Sequence, residues 1–575
     1  MVGVGRTVFE GDRLEEFRVN ILGVLRNVMG PQRNLILARL EGGPLANTGV
    51  IAGMSGSPVY VDGKLVGAVS YSLGSFPKEP LAGITPIDEM TNDVSVATPR
   101  VTAASGISVS WPAPPAEVFA ALERVARRAA APFGDAPGDL SVVGPRSLAD
   151  FAPALRPIGA AMVLGGFDPS LGGNLRDALA PTGSTVRTEA IGAAVPAEDT
   201  KALRPGDPIG MALMHGDMEM GATGTVTHVD GDRVYAFGHP FLSLGPVSLA
   251  MTQAHVYTVL PSLDSSMKIA SLGPVIGTVT QDRATAVGGT LGAAPRELEV
   301  HLLLSSPRTP DRRFTFYVAH DPTLTPLFTY VAVLNALTSY QRQAGALSVA
   351  ARGTVDFGRD GQIAIDDVFS GDSATTAAAS AVATPIGTIV ANEFKTAMPE
   401  RLDLELRALE EQQGTTIDRI WLDTTRPQLG GTYALQIQLR DFRGGARTLS
   451  MPISLPTQAD GPLTLLVSDA ATLTTLEQRD LRPGKPASFG ELMAQANNTR
   501  RNNRVYVRLI ATASGAVVGG DTLPSLPASV QALLRSDAGG AQTPVTKSVV
   551  GAWDQRLDLA VHGSRELTIN PKPAS

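Results

Sequence analysis

The sequence predicts a mainly β protein with several domains and a few helices. Glycine and proline are abundant, with 59 and 42 residues in a chain of 575, whereas charged residues make up only 18%. Short runs of alternating apolar and polar residues recur between turn residues, as in the strands of half-buried sheets. A chain of this length exceeds a single hydrophobic core, since the prior is about 150 residues per domain.

Composition excludes several classes of function. The net charge is -7, and neither sign is gathered into a long run, which argues against a nucleic-acid-binding surface. Cysteine is absent, which excludes disulfides, thiolate zinc sites and a cysteine nucleophile. The seven histidines show neither an HExxH pair nor zinc-site spacing, so we expect no metal and no cofactor. No apolar run reaches the roughly 18 residues that a membrane-spanning helix needs.

The first section, residues 1–92, predicts one half of a barrel-like β structure. The segment "TVFEGDRLEEFRVNILGVL" contains two apolar runs around a turn, and "NLILARL" is a further strand candidate. In "SPVYVDGKLVGAVSYS", Asp62 and Gly63 give a hairpin signal between two strands. The opening "MVGVGRTVFEGD" is typical of a strand rather than a leader, so we expect that a targeting segment was removed or that the true start lies upstream.

The rest of the chain divides by composition into five parts. Residues 93–204 predict a mixed connecting region with one helix, Pro115–Ala130, and residues 205–370 predict a second β section with a following helix. The small-residue run at 371–387 predicts a linker or an exposed loop. Residues 388–458 alternate in the manner of sandwich strands, and 459–575 predict a C-terminal β-rich module.

Two short stretches carry candidate chemistry. "GMSGSP" offers the hydroxyls of Ser55 and Ser57 in a glycine-rich turn, which is one way to present a serine nucleophile but also an ordinary turn composition. In "FGHPF", His239 is held between glycine and proline at a strand end. A general base must be fixed in this way to stay within reach of its nucleophile, although a packed turn histidine has the same surroundings.

The stretch "TGVIAGMSGSPVYVDGKLVGAVSY" resembles the serine motif of the stage IV sporulation protein B (SpoIVB) family of serine peptidases. The preceding "TVFEGDRLEEFRVNIL" is similar to the segment that leads into that motif, and "GTVTHVDGDRVYAFGHPF" is similar to the family's histidine segment. The chain departs from the family in two respects. Ser55 precedes His239, whereas the histidine segment comes first in the sporulation peptidase, and no PDZ module is recognisable.

The resemblance implies a trypsin-like double β-barrel formed by two separated segments, followed by C-terminal β-sandwich-like modules. In that register Ser55 is the nucleophile, the N–H groups of Gly53 and Ser55 form the oxyanion hole, and Ser57 is the competing hydroxyl. His239 takes the proton from Ser55 and returns it to the leaving amine.

The third member of the triad is left open by the sequence. The family places an aspartate seven residues before the motif's threonine, which corresponds to Glu41 here. Glu41 is equally well a solvated turn residue, and Asp230, Asp232 and Asp282 are the other acids near the histidine segment. If none of them approaches His239, a Ser/His dyad or an inactive site remains.

These observations predict a secreted or envelope-located serine endopeptidase that makes limited cuts in a protein partner or in itself. Its substrate is a protein or peptide, and the C-terminal modules are candidates for binding an envelope partner. The alternative is a catalytically inactive, peptidase-like scaffold of the cell envelope. A carbohydrate-binding protein is disfavoured, since aromatic residues make up 5% of the chain and only three are tryptophan.

Overall fold

The computed structural model describes most of the chain. The described residues are 1–73, 79–91, 107, 109–130, 155–182, 185–188, 202–262, 265–307, 309–340, 347–459, 461–481, 485–518, 521–523, 530 and 543–572. Within them, strands predominate, as the turn-rich and charge-poor composition predicts. None of the helices in these ranges is long and apolar enough to cross a membrane.

The first barrel lies within the first 92 residues and is a closed ring. Its elements are β1 (Val2–Val8), β2 (Leu14–Leu25), β3 (Leu35–Glu41), α1 (Leu45–Thr48), β4 (Ser57–Val61), β5 (Lys64–Leu73), β6 (Leu81–Pro86) and α2 (Ile87–Thr91). The strands pair in the order β4-β1-β2-β3-β6-β5, and pairing of β4 with β5 closes the ring. Alternate residues point inward, so that Phe17, Val19, Leu40 and Ile84 share one apolar core.

Part of the connecting region also packs against the two barrels. Its elements are α3 (Pro115–Ala130), β7 (Leu155–Pro157), β8 (Ala161–Gly165), α4 (Pro169–Leu179), a 3₁₀ turn (Ala180–Thr182) and β9 (Thr185–Thr188). The helix predicted at Pro115–Ala130 is present, and its apolar face is buried. Strand β7 pairs with β5 of the first barrel, whereas β8 joins the second sheet.

The second barrel is also a closed ring of six strands. These are β10 (Pro208–Gly216), β11 (Glu219–Asp230), β12 (Arg233–Ala236), β13 (Gly245–Leu260), β14 (Met267–Arg283) and β15 (Ala286–Leu291). They pair in the order β10-β13-β14-β15-β12-β11, and β11 pairs back to β10. The prediction of a mainly β, trypsin-like double barrel from two separated segments is therefore confirmed.

The second sheet extends beyond its barrel and is covered by helices. The added elements are β16 (Glu297–Ser306), β17 (Thr309–Ala319), α5 (Leu324–Tyr340), β18 (Ser348–Asp356), a 3₁₀ turn (Gly358–Asp360), β19 (Gln362–Ser370), α6 (Ala374–Val390) and β20 (Arg401–Leu409). Helix α6 corrects the prediction of a linker or exposed loop at 371–387. Its many alanines favour a helix, and residues such as Val382 and Ile386 are fully buried.

The C-terminal part is a sandwich of two sheets around one core. Its strands are β21 (Gly414–Leu422), β22 (Thr432–Asp441), β23 (Ala446–Ser454), β24 (Leu463–Ser468), β25 (Arg504–Val518), β26 (Asp521–Leu523), β27 (Thr543–Arg556), β28 (Ala560–His562) and β29 (Ser564–Ile569). Its helices are α7 (Ala470–Leu476), a π-helical turn (Glu477–Leu481) and α8 (Phe489–Asn497). Both sheets contribute to the core. The strands of the predicted modules 388–458 and 459–575 thus form one sandwich, except that β20, at the start of the first module, pairs with β16 and β18 of the second sheet.

Candidate active site

The turn that carries Ser55 is clamped against strand β11 of the second barrel. The Ser55 carbonyl accepts a hydrogen bond from the Thr225 N–H at 2.8 Å, and the Thr227 hydroxyl donates to the Gly56 carbonyl at 2.7 Å. Gly56 has a φ of +94°, and a Cβ atom there would lie 2.0 Å from the Thr225 carbonyl oxygen. Only glycine allows this approach, so the motif's second glycine joins the two barrels.

Two main-chain N–H groups of the serine turn donate to no acceptor in the described part of the chain. Between residues 52 and 57, four amides donate within the protein: Ala52 to Ser266, Met54 to Ile51, Gly56 to Val69 and Ser57 to Met54. The amides of Gly53 and Ser55 find no acceptor among the residues that the structure describes. Because buried N–H groups are nearly always bonded, two free ones in alternate positions mark a place built for an incoming oxygen.

The two serine hydroxyls of the motif have different surroundings. The Ser57 hydroxyl donates to the Met54 carbonyl at 2.5 Å and so helps to hold the turn. The Ser55 hydroxyl is fully buried, and within the described part of the chain it has no hydrogen-bond partner. A buried hydroxyl without a partner is costly, so its retention is typical of a functional group.

The turn that carries His239 is fixed against the first barrel. Phe237 and Gly238 both have left-handed backbone conformations, with φ values of +67° and +70°. The Thr85 hydroxyl donates to the Gly238 carbonyl at 2.7 Å, and a Cβ on Gly238 would lie 2.0 Å from the Ser70 Oγ. A left-handed conformation at a phenylalanine is unusual and is often found at functional sites, where the surrounding structure compensates for the strain.

The His239 ring is oriented by a main-chain carbonyl. Its Nδ1 lies 2.7 Å from the Pro240 carbonyl oxygen. A carbonyl can only accept, so Nδ1 carries the proton and Nε2 presents its lone pair. Nε2 is buried and has no hydrogen-bond partner among the residues that the structure describes. This is the tautomer that a general base needs to accept a serine proton.

Burial keeps the His239 ring neutral. The residue is 3% exposed, and desolvation lowers its pKa from 6.5 to about 4. The main-chain groups of Pro240 and Ile158 oppose this shift, although Ile158 forms no hydrogen bond of regular geometry with the ring. At neutral pH the ring is therefore an acceptor rather than a cation.

The structure brings the serine and histidine turns together without joining their side chains by a hydrogen bond. A Cβ on Gly56 would lie 2.5 Å from the Phe237 nitrogen, so the turns meet within two residues of His239. Neither the Ser55 hydroxyl nor His239 Nε2 has a hydrogen-bond partner in the described ranges. Catalytic hydrogen bonds are often loose without substrate, and this arrangement leaves both groups available to one.

The structure does not place Glu41 beside His239. Glu41 is the last residue of β3, opposite Arg18 of β2, and its side chain is exposed. Strand alternation explains this position, because the preceding residue, Leu40, points into the barrel core. The Pro240 carbonyl occupies Nδ1, where the triad acid was expected. Asp230 and Asp232 are exposed in the turn between β11 and β12.

Asp282 acts on the histidine loop rather than on the ring. Its carboxylate accepts from the N–H groups of Phe241, Leu242 and Leu244 at 2.7, 2.8 and 3.1 Å. It is 1% exposed, and burial raises the pKa of the carboxyl although these hydrogen bonds oppose the shift. Asp282 thus holds the loop that immediately follows His239. The sequence identified Asp282 as a candidate third member of the triad, whereas the structure shows it bound to the main chain of this loop.

A buried lysine lies beneath the serine turn and was not predicted. Lys268 is 2% exposed, its carbon atoms lie beside Gly53, and desolvation lowers its pKa to about 7. Its ammonium donates to the Thr7 hydroxyl at 2.8 Å. The Thr7 hydroxyl oxygen lies 3.4 Å from that of Thr225, and the Thr225 hydroxyl donates to the Gly53 carbonyl at 3.1 Å. This chain fixes the peptide next to the free amides.

Among the described residues, no group of three or more histidine, aspartate or glutamate side chains is placed to hold a metal ion.

Residues 4–85 match the model of the SpoIVB peptidase S55 family. The resemblance to the SpoIVB peptidases is confirmed for this segment, which contains Glu41, Gly53, Ser55 and Ser57 and stops well before His239. No curated protein and no solved structure shows a significant match to the chain.

Proposed function

We propose that this SpoIVB-like chain is a serine endopeptidase in which Ser55 is the nucleophile and His239 is the general base. One observation carries the proposal: a buried serine hydroxyl and two main-chain amides on one turn, and the Nε2 of a histidine on the adjoining turn, all lack a hydrogen-bond partner among the described residues. Structural turns seldom leave so many polar atoms unsatisfied in one place.

The reaction follows from these positions. Ser55 Oγ attacks the carbonyl carbon of a peptide bond while His239 Nε2 takes its proton. The developing negative oxygen accepts hydrogen bonds from the Gly53 and Ser55 amides. The protonated ring then gives the proton to the leaving amine, and water releases the acyl group by the reverse sequence.

The orienting group for His239 is a neutral carbonyl instead of a carboxylate. The Pro240 oxygen fixes the correct tautomer, as the aspartate of a triad does, but it contributes no full negative charge to stabilise the imidazolium. We therefore propose a Ser/His dyad supported by the main chain. A slow enzyme of this kind suits limited cleavage of a protein partner, at a secreted or envelope location, better than bulk digestion.

Fluorophosphonate labelling with mass mapping of the adduct tests the proposal. The expected result is an adduct on Ser55 in the wild type, lost in Ser55→Ala and in His239→Gln. Ser57→Ala is the matched control, since it removes a hydroxyl that serves the turn, and it should keep the label. An adduct on Ser57, or labelling of Ser55 that does not depend on His239, contradicts the assignment.

The second candidate is an inactive, peptidase-like binding protein. The observation that favours it is the Pro240 carbonyl at His239 Nδ1, where a triad has a carboxylate; among the described residues the Ser55 hydroxyl and His239 Nε2 also form no hydrogen bond with each other. This reading predicts no adduct on Ser55 in any variant that folds, whatever the incubation time. The two candidates thus separate in the same experiment.

A further inference from the structure

A short segment of the connecting region lies along the strand that follows the nucleophile. Strand β7 is antiparallel to β5, with Leu155 opposite Leu73, Arg156 opposite Ser72 and Pro157 opposite Tyr71. The next residue continues the ladder, because the Ile158 N–H donates to the Ser70 carbonyl at 2.8 Å. Added strands of this type are a common mode of peptide recognition, in which the main chain gives affinity and side-chain pockets give specificity.

The segment then passes between the catalytic candidates. Ile158 is 2% exposed, and its side chain joins the apolar core that includes Ile51, Met54 and Val69. Its main chain lies near the His239 ring, where it opposes the fall in the ring's pKa. Three residues later, Ala161 lies beside Gly53, where its Cβ would be 3.4 Å from a Cβ on the glycine. The chain therefore runs from the β5 edge, past His239, to the free amides.

We propose, on the basis of the proposed function, that residues 155–158 occupy the substrate cleft as a built-in pseudo-substrate, with Ile158 in the position before the scissile bond. The external substrate is then an extended peptide that pairs with residues 70–73. It carries a branched aliphatic side chain where Ile158 now lies. Neither the segment nor this preference follows from the serine and histidine motifs.

The segment is bound without being in position for cleavage. The main chain of Ile158 lies near enough to the His239 ring to oppose the fall in its pKa, yet the two form no hydrogen bond of regular geometry. The Gly53 and Ser55 amides, which must receive the carbonyl oxygen of the attacked residue, have no acceptor among the described residues. Occupation of the cleft also explains why Ser55 is fully buried and His239 is 3% exposed.

The rate of fluorophosphonate labelling tests the occlusion. Ile158→Ala removes the buried anchor and should raise the rate at Ser55 by about tenfold or more, since the apparent rate follows the open fraction. Ile158→Val keeps a branched side chain and should raise the rate much less than Ile158→Ala does. Ile84→Ala is the matched control, because Ile84 is equally buried in the same core but lies on β6. Equal rates in Ile158→Ala, Ile84→Ala and the wild type overturn the inference while leaving the proposed function intact.

Side-chain preference is tested with peptidyl phosphonates on Ile158→Ala. The probe acetyl-Leu-Arg-Pro-Ile diphenyl phosphonate should label Ser55 about tenfold or more faster than the same peptide ending in lysine, because burying an ammonium in an apolar pocket is costly. The reverse order overturns the assignment of Ile158 to the specificity pocket. If no probe labels Ser55 in any folded variant, the proposed function fails, and the inference fails with it.

A measurement on the wild type covers the case in which Ile158→Ala does not fold. Hydrogen exchange by mass spectrometry is followed in the peptide that contains residues 155–160, before and after reaction with the isoleucine phosphonate. The bound probe should displace the segment and raise its exchange, with β6 unchanged as the internal control. Unchanged protection of 155–160 in fully labelled protein shows that the segment lies outside the cleft.

Discussion

Acidification should leave His239 neutral far below the ordinary histidine range. The perturbation is a pH titration from 7 to 3.5 on the folded protein. Burial lowers the His239 pKa from 6.5 to about 4, and at about 1.4 kcal/mol per pKa unit this corresponds to about 3 kcal/mol against charging the ring. The cost is large because the ring is 3% exposed and desolvation disfavours its charged form.

Stability follows from the same shift. Between pH 6.5 and about 4 the unfolded chain binds a proton at His239 that the folded chain does not, so the free energy of unfolding decreases as the pH falls through this window. Above pH 6.5 the ring is neutral in both states, so the stability that is lost on acidification is fully present there. The difference between wild type and His239→Gln isolates this residue, because other titrating groups are common to both proteins.

The assay is NMR of protein labelled at histidine Cε1, which gives at most seven signals from the seven histidines. His239→Gln assigns the signal. The expected midpoint is about 4, and denaturation of the two proteins at pH 7 and pH 4.5 checks the sign of the stability difference. A His239 midpoint near 6.5 refutes the reasoning, because the ring would then be reached by water in the resting protein.

Three further substitutions have defined outcomes. Gly56→Ala forces a Cβ to 2.0 Å from the Thr225 oxygen at a positive φ, so it should destabilise by about 3 kcal/mol or more in thermal unfolding and abolish labelling of Ser55; wild-type labelling contradicts this. Asp282→Asn replaces a carboxylate that holds three N–H groups and should cost about 3 kcal/mol, together with most of the labelling rate; an unchanged melting temperature argues against its role. Lys268→Met removes a group whose pKa is lowered by burial from 10.5 to about 7. Between these pH values the unfolded chain holds a proton at Lys268 that the folded chain does not, so the free energy of unfolding of the wild type should rise with pH by about 5 kcal/mol relative to that of the variant. If the two free energies instead change in parallel with pH, Lys268 is not buried in this way.

Much of the site could be predicted from the sequence because its signals are local. Alternating strands around "GMSGSP" predict the first barrel, and glycines at 53 and 56 are needed wherever the turn adopts positive φ values. "FGHPF" similarly predicts a fixed histidine. Strand alternation also argues against Glu41 as a triad member, since Glu41 directly follows the inward-facing Leu40 and must face outward.

The remaining features depend on contacts that have no local signature. The Pro240 carbonyl and the free amides of Gly53 and Ser55 belong to the main chain, which is the same at every residue. Ile158 lies about one hundred residues from Ser55 in sequence, and only the pairing of β7 with β5 brings it into the cleft. The helix α6 was missed because its small-residue composition is shared by linkers and by buried helices.

The most direct test of the central claim is a crystal structure of the protein after reaction with a fluorophosphonate. We predict a phosphonyl group on Ser55 Oγ, with one oxygen about 2.7–3.1 Å from the Gly53 and Ser55 nitrogens and with His239 Nε2 directed at the ester oxygen. A phosphonyl group on another side chain, or one on Ser55 whose oxygens contact neither amide, contradicts the assignment of this turn as a peptidase active site.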